Sequence, residues 1–381
     1  VDLPVQPPVQ PMLATSVAGI PDPQRHSVGD VPGLSFEPKW DGFRCLVFKD
    51  GDEVELTSRG SKPLTRYFPE VVQAARAQLP ERVVLDGELF CSSRDQVPPR
   101  LEFETLQERI HPAASRVAML SGLTPAGFVA FDLLALGDTS YVERPFAERR
   151  AALEQALAGL PGVSDPTEPA TGFHLTRTTT DPAEAERWFH QFEGAGLDGV
   201  VAKPLGAAYS PGKRTMLKIK HRRTADVVLA GLREHKTSTP ERPLLGSLLL
   251  GLYAEGALQH VGVAASFTEQ RRAALWQELQ PLVCGIDEHP WSAWAGDAVA
   301  NPERVPGTQS RWSAGKDLSF TPLRPERVLE VGYDHMEGRR FRHTAQFKRW
   351  RDDRDPTSCT YEQLEEPVGY DLTDVLTGGT P

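Results

Sequence analysis

The sequence predicts an α+β protein in two parts: a mixed first part, then a smaller strand-rich part with the character of a small Greek-key barrel. Three observations carry that expectation. At 381 residues the chain is long enough for two cores. The first two hundred or so residues alternate period-2 and period-3.6 apolar patterns. After Arg223 the pattern becomes short apolar runs punctuated by turn signals, with one clear helix.

The elements follow in order. CLVFK (45–49) and EVELTS (53–58) flank Asp50-Gly51, a strong hairpin signal. Apolar positions 68, 71, 72, 75 and 79 trace one helical face, begun near Pro69. VVLDGELF (83–90) and FVAFDLLAL (128–136) read as buried strands, Arg144 to Leu160 and Asp181 to Phe192 as helices, and GVVAKP (199–204) and TMLKIKH (215–221) as further strands. Beyond these, ADVVLAGLRE, SLLLGLYAEGALQHVGVAA and RVLEVGYDHM are strand-like, and Ser266 to Val283 reads as a helix opened by a capping box, Ser266-x-x-Glu269. Several strands and one helix suit a barrel of the oligonucleotide-binding type, the OB-fold. The boundaries expected are 1–222, 223–354, and an acidic C-terminal tail over 355–381.

Apolar content of 39% and charged content of 25% are those of an ordinary globular chain. Cysteines at 45, 91, 284 and 359 are too scattered for a metal knuckle and too few for a disulfide framework, so a reducing cytoplasm is expected. The proline-rich, acid-bearing start does not read as a signal peptide, and no apolar run approaches a bilayer span, so no membrane partner is expected. Net charge is −10. Its distribution matters more: residues 203–223 hold seven Lys/Arg and no acid, whereas 352–381 hold eight acids and one arginine. A basic strip on an acidic body is compatible with a polyanion partner, although a solvated basic face has the same pattern.

The chemistry-bearing residues come as an ordered series. Lys39-x-Asp41-Gly42 is followed by Ser58-Arg59-Gly60, Asp86-Gly87-Glu88, Phe131-Asp132, Asp198-Gly199-Val200-Val201-Ala202-Lys203, Lys218-Ile219-Lys220 and Arg351-x-Asp353-Arg354. No single member is telling: a lone lysine is usually a surface charge, Phe131 could be a core aromatic, Asp86-Gly87 a hairpin turn, and Lys218 with Lys220 an amphipathic strand. The order and spacing of the set are the signal.

That set resembles the covalent nucleotidyltransferases, a superfamily of ATP-dependent DNA ligases, RNA ligases and mRNA capping enzymes. The resemblance spans nearly the whole chain and is closest to the small two-domain bacterial ATP-dependent DNA ligases, the LigC-like group. It implies an adenylation (nucleotidyltransferase) domain with antiparallel sheets and flanking helices before the OB-fold domain. It further implies sealing of 5′-phosphate/3′-hydroxyl nicks in duplex DNA through a lysyl-AMP intermediate; an RNA ligase or a capping-type guanylyltransferase is the alternative.

By this resemblance Lys39 is the nucleophile. A lysine attacks phosphorus only as the free amine, which nearby positive charge and partial desolvation favour, and Lys218 and Lys220 would supply that charge. Glu37 would read the adenine edge and Phe131 stack on the purine. Arg44 and Arg59 would lie on the ribose and phosphate side, with Arg59 the one to meet a DNA 5′-phosphate. Glu88 would contact ribose or a metal. Asp198 stands where the family most often has glutamate and would hold Mg2+ (or Mn2+) directly or through water. Lys203 and Arg214 complete the nucleotide set. Arg351 and Arg354, the latter in place of a usual lysine, would orient the leaving pyrophosphate. ATP and a divalent ion are the expected cofactors. Nicked duplex DNA is the expected partner, with a repair polymerase or primase beside it, and the protein is expected to act as a cytoplasmic, nucleoid-associated monomer in DNA repair.

Overall fold

The computed structural model describes residues 1–93, 96–162, 170–292 and 319–377. Its chain forms two units, Val1–Lys220 together with Pro367–Pro381, and His221–Glu366. The stretch expected as an acidic tail therefore divides. Its first part belongs to the second unit, and the rest returns to the first because Leu372 and Val375 are apolar and bury there.

The first unit holds two main sheets. Strands β1 (Leu13–Val17), β2 (Leu34–Pro38), β8 (Val200–Pro204) and β9 (Arg214–Ile219) form one, in the order β1-β9-β8-β2. β1 runs parallel to β9, and the other pairs are antiparallel. The second sheet runs β7-β6-β5-β3-β4, from β3 (Phe43–Asp50), β4 (Glu53–Ser58), β5 (Arg82–Phe90), β6 (Gly127–Leu136) and β7 (Gly172–Leu175). The hairpin at Asp50-Gly51 forms as its sequence signals, with Gly51 at φ 58°.

β5 and β6 are buried on both faces, so they read as continuous apolar runs. Asp86-Gly87 lies inside β5, not in a turn. A Cβ at Gly87 would meet the Val129 carbonyl at 2.3 Å, so only glycine lets β5 approach β6 there. Helices α1 (Pro69–Gln78) and α2 (Phe146–Ala156) and strand residues such as Phe128, Leu133 and Phe173 share or flank the core of the second sheet. Helix α3 (Pro182–Gln191), capped by Asp181, packs Ala185 and Trp188 against Phe36, Val200 and Ile219 of the first.

In the second unit β10 (Arg223–Glu234), β11 (Leu245–Ala254), β12 (Ala257–Ala264), β13 (Val328–Tyr333) and β14 (Gln346–Trp350) form a sheet in the order β12-β11-β10-β13-β14, all antiparallel. The expected barrel does not close: among the described residues the edges meet only at an isolated bridge, Ala264–Ala345. Gly262, φ +158°, and the register shift in β12 break the regular ladder before that point. Helix α4 (Glu269–Leu279) exists, but its cap is the Thr268 hydroxyl, which accepts from the Arg271 N–H, in place of the expected Ser266.

Candidate active site

Strand pairing in the first sheet brings together residues far apart in sequence. Pro38 lies opposite Val200, and the pairing continues one step past both strands: the Lys39 N–H donates to the Gly199 carbonyl (2.8 Å) and the Asp198 N–H to the Lys39 carbonyl (3.0 Å). Val200 is also opposite Ile219, which places Lys220 beside the same end. Three strand ends thus deliver Lys39, Asp198 and Lys220 to one edge. Gly199 makes the close approach possible, since at φ +130° its Cα lies where a Cβ would strike the Ile219 carbonyl at 1.9 Å.

The side chains use that placement. Lys39 Nζ and Lys220 Nζ both reach Asp198 Oδ2, at 2.7 and 2.8 Å. Burial alone would raise the Asp198 pKa; Lys39 and Lys220 outweigh it and hold the carboxylate below its ordinary range. Lys218 has no acidic partner among the described residues. Its pKa is lowered, first by burial and then by Lys220, Lys39, Arg214 and Arg59, so these five cations share one field. Arg59 is exposed in the turn after β4, and Arg214 opens β9 with a bond to the Ala14 carbonyl (3.0 Å).

The second set forms a floor. Lys203 and Glu37, diagonal neighbours across β8 and β2, pair at 2.7 Å with both side chains buried. Lys203 leaves the basic strip of the sequence altogether: it is 2% exposed and also donates to the Phe131 carbonyl at 2.9 Å. Burial raises the Glu37 pKa despite Lys203, and Glu37 Oε2 has no hydrogen-bond partner among the described residues. The Arg44 guanidinium lies 4.6 Å and the Lys203 ammonium 4.7 Å from the Phe131 ring centre.

Arg44 is held by residues whose part the sequence did not declare. Fully buried Asp86 takes two hydrogen bonds from it, at 2.5 and 2.6 Å, and a third from the Tyr209 hydroxyl at 2.6 Å. Asp132 turns away from this set and forms a two-bond pair with buried Arg149 (2.8 and 3.0 Å), a structural contact. Glu88 accepts from the Gly42 N–H at 3.1 Å, and burial raises its pKa to about 7 against the opposing pull of Arg44 and Lys39.

Arg351 and Arg354 lie in the second unit. There they converge on Asp226 of β10, with Arg351 Nη1 at 2.9 Å and Arg354 Nη1 at 3.2 Å from Oδ2, while Arg351 also pairs with Asp353 at 2.9 Å. The basic run before them is partly enclosed: Phe341 is buried, burial lowers the Arg342 pKa to about 10, and Arg327 stacks on Trp350 at 3.7 Å.

Among the described residues no three His, Cys, Asp or Glu gather as a metal cage. Glu88 and Asp198 each feel the Lys39 charge and each offer hard carboxylate oxygens, the donor type that magnesium takes, few in number where phosphates supply the remaining ligands. No helix among the described residues is long and apolar enough to cross a membrane.

A family model described as "ATP dependent DNA ligase domain" matches residues 11–220, and one described as "ATP dependent DNA ligase C terminal region" matches 241–354. The chain is 59% identical over 369 residues to "DNA ligase C2" of Mycolicibacterium smegmatis, covering 96% of this chain and 97% of the relative. It is 56% identical over 377 residues to "DNA ligase C" of Mycobacterium tuberculosis, covering 99% of each. A solved structure described as "DNA binding with a minimal scaffold: Structure-function analysis of Lig E DNA ligases" shares the fold at TM-score 0.50 and 17% identity, over 89% of this chain and 99% of that one. These likenesses favour neither an RNA ligase nor a capping enzyme. Matched by both family models and similar over nearly its full length to two C-type ligases, the chain belongs to the ATP-dependent DNA ligases.

Proposed function

We propose that Lys39 is the nucleophile that carries AMP and that this ligase seals nicked duplex DNA by three phosphoryl-group displacements. The observation that supports this most is the convergence of Lys39 and Lys220 on Asp198, beside Lys218, which has no acidic partner among the described residues. In the first step the Lys39 amine attacks the α-phosphorus of ATP. A P–N bond forms, the P–O bond to pyrophosphate breaks, and the amine proton is released. Asp198 orients Nζ, and Lys218, Lys220, Arg59 and Arg214 offset the charge that accumulates on the phosphate oxygens. The DNA 5′-phosphate then takes AMP from Lys39, and the 3′-hydroxyl displaces AMP to close the strand.

Glu37 and Phe131 shape the purine pocket, with Lys203 fixing both from beneath. Arg44, set by Asp86 and Tyr209, faces the sugar side of that pocket. Glu88 and Asp198 would hold magnesium, which when bound withdraws charge from the phosphate oxygens. Arg351 and Arg354 take the leaving pyrophosphate in the first step. We assign the protein a role in DNA repair as a cytoplasmic monomer, with a repair polymerase or primase as the partner that prepares its nicks.

Incubation with α-labelled ATP or GTP and magnesium, followed by denaturing electrophoresis, tests the reading. ATP should label the chain, GTP should not, and Lys39→Ala should abolish labelling. Persistent labelling of Lys39→Ala would remove Lys39 as nucleophile, and equal labelling by GTP would move the pocket to guanine.

A further inference from the structure

We propose that Trp40, Thr176 and Arg177 form a positioning chain that fixes the Lys39 backbone from behind and is itself anchored on the returning C-terminal segment. The inference rests on the reading of Lys39 as nucleophile.

The chain begins at the residue next to Lys39. Trp40 is 5% exposed, stacks on Phe90 at 5.8 Å, and donates its indole N–H to the Thr176 hydroxyl at 2.8 Å. Thr176 is fully buried, so this bond has no water competitor. Its own N–H donates to the Ala130 carbonyl at 2.9 Å, and three residues on, Thr179 exchanges two backbone bonds with Phe36 of β2 (2.8 and 3.0 Å). The segment 176–179 therefore ties β6 to β2, the strand that ends at Lys39.

Arg177 links this segment to the end of the chain. Its guanidinium donates to the Asp374 and Val375 carbonyls, at 2.5 and 3.0 Å, near the end of helix α5 (Leu372–Thr377). The same guanidinium lies 5.5 Å from the Trp188 ring and 5.2 Å from the Phe192 ring. Leu372 and Val375 bury in that aromatic cluster, and the Leu372 N–H donates to the Pro99 carbonyl at 3.0 Å. Residues that follow the second unit in sequence thus complete the packing behind the nucleophile.

The consequence concerns geometry more than folding. Lys39 Nζ ends a flexible four-carbon stem, so its approach to phosphorus depends on where its Cα is held. Backbone bonds to Asp198 and Gly199 fix one side of Lys39, and the anchored Trp40 ring fixes the other. A small displacement of a reacting group can cost up to about a hundredfold in rate without changing ground-state binding.

Single-turnover self-adenylation of the full chain, titrated with ATP, tests this. Thr176→Val and Arg177→Ala should each lower the maximal rate about tenfold while the half-saturating ATP concentration stays within about twofold. Thr176→Ser, which keeps the hydroxyl, should retain the wild-type rate. The double variant should be no slower than the slower single one, because both act along one chain. Wild-type rates in both single variants would overturn the proposal. So would an equal loss in Thr176→Ser, or a loss seen only as weaker ATP binding. Should Thr176→Val fail to fold, Arg177→Ala, altered at a partly exposed side chain, decides alone. Lys39→Ala run alongside separates the two readings: labelling that persists there sinks the nucleophile assignment, whereas its loss with wild-type rates in the other variants sinks only this inference.

Discussion

Glu88 shows how burial gives one carboxyl a titration that its sequence does not announce. Burial lifts it from 4.5 to about 7, with Arg44 and Lys39 opposing. A carboxyl raised on folding favours the folded state while protonated; that contribution is fully present below about 4.5 and is lost as pH rises through about 7. Glu88→Gln cannot ionise. In calorimetry of the ligand-free protein it should match wild type well below the raised pKa and melt several degrees higher above it, a difference of about 2 kcal/mol allowing for the partial exposure of the side chain. Self-adenylation should respond in the opposite sense: wild type should gain activity as pH rises through about 7, as the carboxylate forms, and Glu88→Gln should lose that rise. A melting difference independent of pH would reject the titration.

Strand β9 and the residue after it carry two lysines of the same type in different situations. Lys220 shares Asp198 with Lys39, whereas Lys218 faces only cations among the described residues. Lys218→Ala should leave the ligand-free melting temperature within about 1 °C yet weaken stabilisation by pyrophosphate about tenfold, read as the concentration needed for a given thermal shift. Lys220→Ala leaves Asp198 to Lys39 alone, which favours its ammonium over the attacking amine, so the pH optimum of self-adenylation should move upward. Equal effects of the two substitutions on both measurements would mean that β9 is an undifferentiated basic edge. The motif identifies both lysines. Only the strand register separates them, because Lys218 stands opposite Val201, whereas Lys220 lies one step past the Val200–Ile219 pair, at the end that carries Asp198.

At the scale of the whole molecule, the proposed reading gives the second unit's arginines a part in the first step only. Arg351 and Arg354 are held on Asp226 within the second unit. If they serve only the leaving pyrophosphate, the double change Arg351→Ala/Arg354→Ala should cut self-adenylation by about a hundredfold while a pre-adenylated nick is still sealed. Normal self-adenylation with failure on the pre-adenylated nick would make them a DNA-backbone contact. Asp226→Asn should mimic the double variant more weakly, since it loosens both guanidiniums without removing them.

What the sequence determined by itself was local or ordered along the chain. Apolar periodicity marked the Asp50-Gly51 hairpin, the buried strands β5 and β6 and helix α3, since each pattern follows from which face its own element buries. The ordered series from Lys39 to Arg354 pointed to the ligase family because it can be read without knowing any contact. Tertiary structure alone decided which of those residues meet. Lys203 looked like part of a basic strip, yet it is buried on Glu37, because charge along a chain says nothing about which strand faces the core. Asp86 and Asp132 look alike in their motifs, but one sets Arg44 and the other only braces Arg149. In the second sheet, the register shift between β11 and β12 beside positive-φ Gly262 and the lone bridge of Ala264 to Ala345 among the described residues are matters of pairing that periodicity does not reveal. The acidic C-terminus read as a tail because Leu372 and Val375, the buried residues described in its returning part, are too few to form a pattern; their partners Trp188 and Phe192 lie about 180 residues away and become neighbours only on folding.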